Sequence, residues 1–403
     1  MPLTSKTKCK PFDVVYYIFY ENLDVLGPYL NAFQMWLDRG YNVMVFSLHN
    51  ERINGPFPAS SRSGFSHHYV AFPALIKIME RVAEYHGGSI VRLLKMVYFI
   101  MFCFFRTNKR KKNALIGTTP IGLFAAFLVS KITKDPYIYS VQEMLLSADI
   151  KRVVDRIIKH LERIANKGAL FTLEFDETRA ALLAKDNNLR GESMLVVPNA
   201  PIGSANGARS SYLREKFNIP DDKKIALYTG GIADYNVTYE HIASVETWPG
   251  NVVLVMHCWG SEEEITQLEK FAQKFNRKIY FSTEMLPFQE IDKLYRSADI
   301  GFALYGDQDL NHKYAGLSSG KLFNFMRACV PIVTNNTPSC KMAVKETGCG
   351  ICIGSVSEIG SAIELILDNE ETYRRRCYTT FPQFSYDKNH GKLMDAIENT
   401  MER

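Results

Sequence analysis

Two runs of alternating strand-like and helix-like segments, parted by a Pro-rich stretch, restrict this chain more than any other feature. In the first run, Asp13 to Phe19 reads as a strand rich in Val, Ile and Tyr. A turn at Gly27-Pro28 follows, then a helix from Tyr29 to Arg39 capped by Gly40, and a strand from Tyr41 to Leu48. Strand, helix and strand within so few residues form a βαβ unit, which seeds a parallel sheet. The pattern resumes with strands at 114–117, 137–141, 169–173 and 194–197, and helices at 120–132, 151–167 and 174–183. Val197-Pro-Asn-Ala-Pro201 and the Gly/Ser/Ala-rich residues 202–211 then make a linker. Beyond it, strands are expected at 224–229, 252–257, 278–281, 299–305 and 331–334. The helices between and after them fall at 239–245, 262–275, 288–296, 322–327 and 357–367. This predicts an α/β protein of two Rossmann-like domains facing across a cleft, residues 1–199 and 200–380.

The stretch richest in chemistry is Gly316-Leu-Ser-Ser-Gly-Lys-Leu-Phe-Asn324, between a strand and a helix. Small residues at Ser318, Ser319 and Gly320 let the backbone approach a ligand. The helix beyond presents unpaired N–H groups, and Lys321 adds a full positive charge, so the stretch suits an anion such as phosphate. It is not a P-loop: Gly316 lies one residue too close to Gly320, and Leu322 stands where a Ser or Thr would hold magnesium. Ligands of doubly wound sheets collect at the carboxyl ends of strands, which singles out Thr118, Thr119 and Glu143 in the first half. Glu143 serves equally as a helix N-terminal carboxylate. His257 closes a strand beside Cys258-Trp259-Gly260. The loop 49–69, with His67-His68, suits either acceptor contact or a mobile surface.

Charge separates the two halves. Residues 1–200 carry 26 Lys/Arg against 17 Asp/Glu, or +9; the remainder carries 22 against 26, or −4, for a total of +5. A basic first half suggests an anionic ligand or surface there. Within 90–106 the core Met96 to Phe105 is almost wholly apolar, and Arg106 with Lys109 to Lys112 is strongly basic. The apolar core is too short for a bilayer, which needs roughly twenty residues. It is expected as a buried helix, with a helix lying in a membrane interface as the alternative. The polar N-terminus lacks a signal-peptide pattern, and the eight cysteines are scattered as in a reducing cytosol, so a cytoplasmic protein, peripheral on the membrane at most, is expected. Cys349-Gly-Ile-Cys352 has metal-ligand spacing but no second pair, and reads as a Gly-rich strand edge. Asn236-Val-Thr238 matches a glycosylation pattern that carries no meaning without secretion. No nucleic-acid recognition motif accompanies the basic residues.

Several of these segments resemble the GT-B glycosyltransferases, specifically the retaining group called family 4. Val197-Pro-Asn-Ala-Pro201 is similar to the interdomain linker of that group. Lys224-Ile-Ala-Leu-Tyr-Thr-Gly-Gly231 is similar to the first strand and glycine turn of its donor domain. Leu286-Pro-Phe with 291–305 resembles its helix–strand segment, and Ser318-Ser-Gly-Lys321 through Ala328 with Pro331-Ile-Val resembles its phosphate-side signature. Tyr139-Ser-Val-Gln-Glu143, Glu162-Arg163 and Glu174-Phe-Asp-Glu-Thr-Arg179 resemble weaker motifs. Two family glutamates, eight positions apart, are Gly316 and Asn324 here, and the frequent Arg after the first donor-domain glycine is Gly231.

The resemblance implies sugar transfer from a nucleoside diphosphate sugar to a glycan or lipid-linked glycan, with retained configuration and no metal or other cofactor. On the donor side it implies Gly230 and Gly231, the 283–286 loop with Glu284 and Leu286 near the base, Tyr305 at the sugar, Ser318, Ser319, Gly320 and Lys321 at the diphosphate, and Asn324 at the ribose. Glu143 would orient or deprotonate the acceptor and Lys321 would meet the leaving charge. Thr118, Thr119 and His67 would contact the acceptor, and 90–112 a membrane surface. The tail 381–403 would pack back on the N-terminal domain. Competing readings are a non-catalytic nucleotide-sugar-binding scaffold, motivated by the missing glutamates, and a nucleotide-sugar epimerase.

Overall fold

A computed structural model describes residues 10–21, 27–48, 59–83, 89–190, 193–287 and 290–402. The chain divides into two compact units. Unit 1 holds Met1–Glu174, Ala180–Val197 and His390–Arg403; unit 2 holds Phe175–Arg179 and Pro198–Asn389.

Unit 1 is built on seven strands: β1 Val14–Ile18, β2 Asn42–Leu48, β3 Phe65–Val70, β4 Asn113–Gly117, β5 Tyr137–Ser140, β6 Thr172–Glu174 and β7 Met194–Val196. Their order is β3-β2-β1-β4-β5-β6-β7, and every pairing is parallel. Helices α1 Gly27–Asp38, α2 Ala74–Ala83, α3 Ser89–Arg106, α4 Pro120–Thr133, α5 Val153–Asn166 and α6 Glu177–Asn187 connect them. All five residues of β1 and of β4 are buried, the continuous apolar run expected of strands covered on both faces. Thr119 caps α4 by accepting the Gly122 amide at 3.0 Å.

Unit 2 repeats the scheme with β8 Lys224–Gly231, β9 Val252–Trp259, β10 Ile279–Ser282, β11 Ile300–Ala303, β12 Ile332–Asn335 and β13 Gly350–Ile353, ordered β10-β9-β8-β11-β12-β13. These pairings are also parallel. Its helices are α7 Tyr212–Phe217, α8 Thr238–Ser244, α9 Glu262–Ala272, α10 Ile291–Arg296, α11 Leu310–Lys313, α12 Gly320–Arg327, α13 Pro338–Cys340, α14 Ile359–Leu367 and α15 Glu370–Phe384. In each sheet the strand order reverses once, between β1 and β4 and between β8 and β11. The last helix, α16 Tyr386–Met401, begins in unit 2 and continues into unit 1 at His390. There Arg39, just past the end of α1, pairs with Asp395 at 2.8 Å and Glu398 at 3.0 Å.

Several local expectations change. The loop expected over 49–69 contains β3, whose aromatic Phe65-Ser-His-His-Tyr-Val run pairs with β2; residues 49–58 lie outside the described ones. The turn expected at Gly27-Pro28 is the first turn of α1. Glu174, expected to open a helix, closes β6, because Asp176 accepts the amides of Thr178 (2.8 Å) and Arg179 (3.3 Å) and starts the helix three residues later. The helix expected from 288 is described from Ile291, with 288–289 outside the described residues. The segment 90–106 is one helix, as its apolar run suggests, but it is buried on one side only.

Candidate functional site

The reversal of strand order in unit 2 opens a crevice between the carboxyl ends of β8 and β11, where open α/β sheets take their ligands. Lys321, at the second position of α12, reaches this place. Its ammonium donates to Asn236 Oδ1 at 3.1 Å and lies 4.2 Å from the centroid of the Tyr305 ring. No carboxylate pairs with it among the described residues. Burial pulls its pKa down to about 7, because the low dielectric disfavours an ammonium that no anion compensates.

The groups around Lys321 are held by a dense network. Asn236 also donates from Nδ2 to the Gly231 carbonyl at 2.9 Å, tying the glycine turn to the lysine. The Tyr228 hydroxyl reaches the same carbonyl at 3.0 Å and Thr238 Oγ1 at 2.8 Å. Between them Val237 sits at φ 46°, a left-handed conformation that a β-branched residue adopts only under constraint. Gly230 has no room to spare: a Cβ there would lie 3.3 Å from both Asn236 Nδ2 and the Tyr228 hydroxyl. Buried His241 on α8 donates to the Val237 carbonyl across 2.7 Å, and burial lowers its pKa to about 3, so it stays neutral beside the lysine.

The 316–320 turn is clamped from distant segments. Asp176 accepts the Leu317 amide at 3.0 Å, and Asn199 of the linker bonds the Leu317 and Ser318 carbonyls, both at 2.9 Å. Gly316 stands at φ 27°, and a Cβ there would lie 2.5 Å from Asp176 Oδ2 and 2.6 Å from Ser339 Cβ. A side chain at this position is therefore excluded by space as well as by backbone conformation. Ser319 caps α12 by accepting the Leu322 amide at 3.3 Å and shares a 2.7 Å hydrogen bond with the Tyr305 hydroxyl. Asn335 holds Tyr305 in turn, accepting its amide and donating to its carbonyl. The Ser318 and Ser319 amides are donated within the turn, to the Ala315 (2.6 Å) and Gly316 (3.2 Å) carbonyls.

A second polar chain lies at the ends of β9 and β10. His257 Nδ1 is 3.0 Å from Ser282 Oγ, which accepts from Lys216 at 3.0 Å; Lys216 pairs with Glu284 at 2.5 Å, and Tyr212 donates to the same carboxylate oxygen at 2.7 Å. Burial, helped by the positive charge of Lys216, lowers the His257 pKa to about 4. Nearby, Tyr235 and His312 stack with centroids 4.0 Å apart, and Asp309 fixes the imidazole at 2.6 Å. Leu286, expected at a base, is partly buried against the unit 2 core. Asn324 hydrogen-bonds Tyr295.

No protein-family model matches the chain, and no curated protein matches it. Solved structures do. A structure of Anabaena HepE in complex with UDP-glucose superposes with a TM-score of 0.70 at 12% identity, covering 96% of this chain and 100% of that one. WaaG, a glycosyltransferase involved in lipopolysaccharide biosynthesis, gives 0.66 at 14% identity over 95% and 99% of the two chains. Sucrose-phosphate synthase from Thermosynechococcus elongatus gives 0.67 at 11% identity over 96% and 99%. The chain has the GT-B fold.

The remaining expected residues lie in unit 1 of this GT-B chain. Glu143 is exposed in the turn after β5, not at a helix N-terminus. Desolvation and the negative charge of Glu143 hold the Glu21 carboxyl above its usual range. Thr118 is buried with its hydroxyl on the Ile18 carbonyl at 3.2 Å, and Thr119 is occupied as the α4 cap. His67 projects from β3 to Ser47 Oγ at 2.8 Å, and burial lowers its pKa to about 4, with a smaller push from His68. Cys352 lies in the edge strand β13, and the described residues contain no group of three His, Cys, Asp or Glu that could hold a metal.

Sequence reasoning missed Asn236, Asp176 and Lys216. Asn236 was visible only as part of a glycosylation pattern, and Asp176 only inside a weak motif. Nothing in the sequence marks Lys216.

Proposed function

We propose that unit 2 binds a nucleoside diphosphate sugar and that the protein transfers the sugar, with retained configuration, to a glycan or lipid-linked glycan acceptor. The observation that carries this reading is Lys321: a desolvated ammonium at a helix N-terminus, held by an amide oxygen and an aromatic face, with no carboxylate on it among the described residues. A diphosphate supplies the missing charge. The barrier to transfer falls when pre-aimed donors meet the charge growing on the leaving diphosphate. Lys321, the Gly320 and Lys321 amides and the Gly230-Gly231 turn take that part, with no metal; the Ser318 and Ser319 amides are held within their own turn by the Ala315 and Gly316 carbonyls. Asn324 holds the ribose, Tyr305 the sugar, and Glu284 with Leu286 the base side. The diphosphate oxygen accepts the acceptor proton on the face of departure, so no protein nucleophile is needed. Glu143 orients or deprotonates the acceptor, with Thr118, Thr119 and His67 on the acceptor side.

Thermal-shift measurements against UDP, GDP, ADP and their sugars, with and without magnesium, test the donor site. A selective, magnesium-independent rise in Tm that Lys321→Ala abolishes supports it; no rise with any nucleotide refutes it. For the chemistry, Glu143→Gln should cut turnover by about 10²-fold or more at unchanged donor affinity, and unchanged turnover removes Glu143 from the mechanism.

Gly316 favours a second reading. Asp176 and Ser339 crowd the space a side chain there would need, so this position offers no acidic group to a ligand. A non-catalytic nucleotide-sugar-binding subunit would then bind the donor without hydrolysing or transferring it, and product analysis of the purified protein separates this from a transferase or an epimerase.

A further inference from the structure

Beside Lys321 the same loops of unit 2 hold an aromatic stack. Tyr235, one residue before Asn236, lies nearly flat against His312 of α11, with ring centroids 4.0 Å apart and planes 24° apart. The Tyr235 carbonyl accepts the Gly306 amide at 2.9 Å, and the His312 carbonyl accepts the Ala315 amide at 3.1 Å. The stack is thereby tied to the neighbours of Asn236 and Tyr305, the two groups on the lysine ammonium, and to the start of the 316–320 turn.

Asp309 sets the chemistry of this stack. Its two carboxylate oxygens accept the His312 amide at 3.0 Å and the His312 Nδ1–H at 2.6 Å. Burial pushes the Asp309 carboxyl up, but the bonds from His312 outweigh it and hold it below its ordinary range, so both oxygens stay acceptors. A neutral imidazole with its proton on Nδ1 presents a lone pair at Nε2. Neither the His312 Nε2 nor the Tyr235 hydroxyl has a hydrogen-bond partner among the described residues, and Tyr235 is 39% exposed. Asp234 and Asp307, on the same two loops, are exposed as well.

A hexose presents what this place accepts. Its hydroxyls are donors for imidazole and carboxylate lone pairs, and its C–H face packs against an aromatic ring. A diphosphate is disfavoured on the stack itself, because Asp234, Asp307 and Asp309 would repel it; its charge belongs at Lys321.

We infer that the Tyr235–His312 stack, with Asp309 behind it, is the platform for the hexose of the donor, the His312 Nε2 accepting a sugar hydroxyl and Tyr235 carrying the ring. The inference rests on the nucleotide-sugar reading of unit 2 and adds the residues that tell a sugar nucleotide from the bare nucleotide.

The test is calorimetric titration of the full chain with UDP, GDP and ADP and with UDP-, GDP- and ADP-glucose. For the base that binds, Tyr235→Leu and His312→Ala should each weaken the glucose nucleotide at least ~10-fold, about 1.4 kcal/mol, and the bare diphosphate less than ~2-fold. Asp309→Asn keeps the α11 cap, since Asn caps as well as Asp, but releases the imidazole tautomer; it should weaken the glucose nucleotide with the melting temperature in place. Equal weakening of both ligands would put the base or the diphosphate on the stack and overturns the inference. Unchanged affinity for the glucose nucleotide overturns it too, as does wild-type binding of a bare diphosphate but of no glucose nucleotide. A fall in melting temperature with the ratio of the two affinities intact would make the stack part of the fold alone. Failure of the nucleotide-sugar reading looks different: the wild-type protein then binds none of these ligands, and the inference falls with it.

Discussion

Two lysines, one in each unit, occupy desolvated positions and are treated in opposite ways. Lys159 of α5 is 2% exposed and bonds Glu162 at 2.9 Å and Asp186 at 2.7 Å. Tyr139 donates to the other oxygen of Glu162 at 2.9 Å, so this charge cluster closes on itself. Burial pushes the Glu162 carboxyl up, while for Asp186 the bonds from Lys159 and Ser147 outweigh burial and pull it down. Lys321 of α12 has an amide oxygen and an aromatic ring in place of two carboxylates. A buried cation with its counter-charges built in is structural. One whose counter-charge is missing leaves the protein unstable by an amount that an anionic ligand can recover.

The contrast is broken most severely at Lys159. Lys159→Met strands buried Glu162 without its cation, while Asp186 keeps Arg163 at 3.2 Å, and should cost about 3–5 kcal/mol of unit 1 stability. Urea unfolding measures this, and nucleotide binding to the surviving folded protein should be unchanged. A cost below about 1 kcal/mol would mean that the cluster is a surface-like pair and that the comparison fails.

Lys321→Met should act in the opposite direction. Nucleoside diphosphate affinity falls at least ~100-fold, or about 2.7 kcal/mol, while the ligand-free protein becomes more stable by about 1–2 kcal/mol. Calorimetric titration and thermal unfolding of the same variant read the two effects. Loss of stability together with loss of binding would make Lys321 a structural residue like Lys159.

The smallest effect is in pH. With a folded pKa of about 7 against the ordinary 10.5, the native protein binds fewer protons than the unfolded chain between those values. The burial penalty is therefore full below pH 7 and is relieved as pH rises toward 10.5, so the stability advantage of Lys321→Met is largest below pH 7 and fades above it. A bound diphosphate reverses this, since it needs the ammonium. Affinity should fall about tenfold per pH unit above 7, with close to one proton taken up on binding at pH 8 and above. Titrations in buffers of different ionisation enthalpy count that proton, and no uptake at pH 8 would mean that Lys321 is charged before the ligand arrives.

Much of this protein was legible in the chain itself. The alternation of apolar strands and amphipathic helices follows from local periodicity, so most strands of both sheets and the loop carrying Lys321 could be located directly. β3 was misread because its polar histidines hide a half-buried edge strand, and α3 because an apolar run does not say which of its sides is covered. What the tertiary structure decided is pairing across distance. Asn236 meets Lys321 from 85 residues away, and Asp176 fixes Leu317 from 141 away. Whether a lysine is compensated depends on every group the fold brings within a few ångströms of its nitrogen. Coulombic and desolvation energies are set by that three-dimensional neighbourhood, and the residues that form it are not neighbours in the chain.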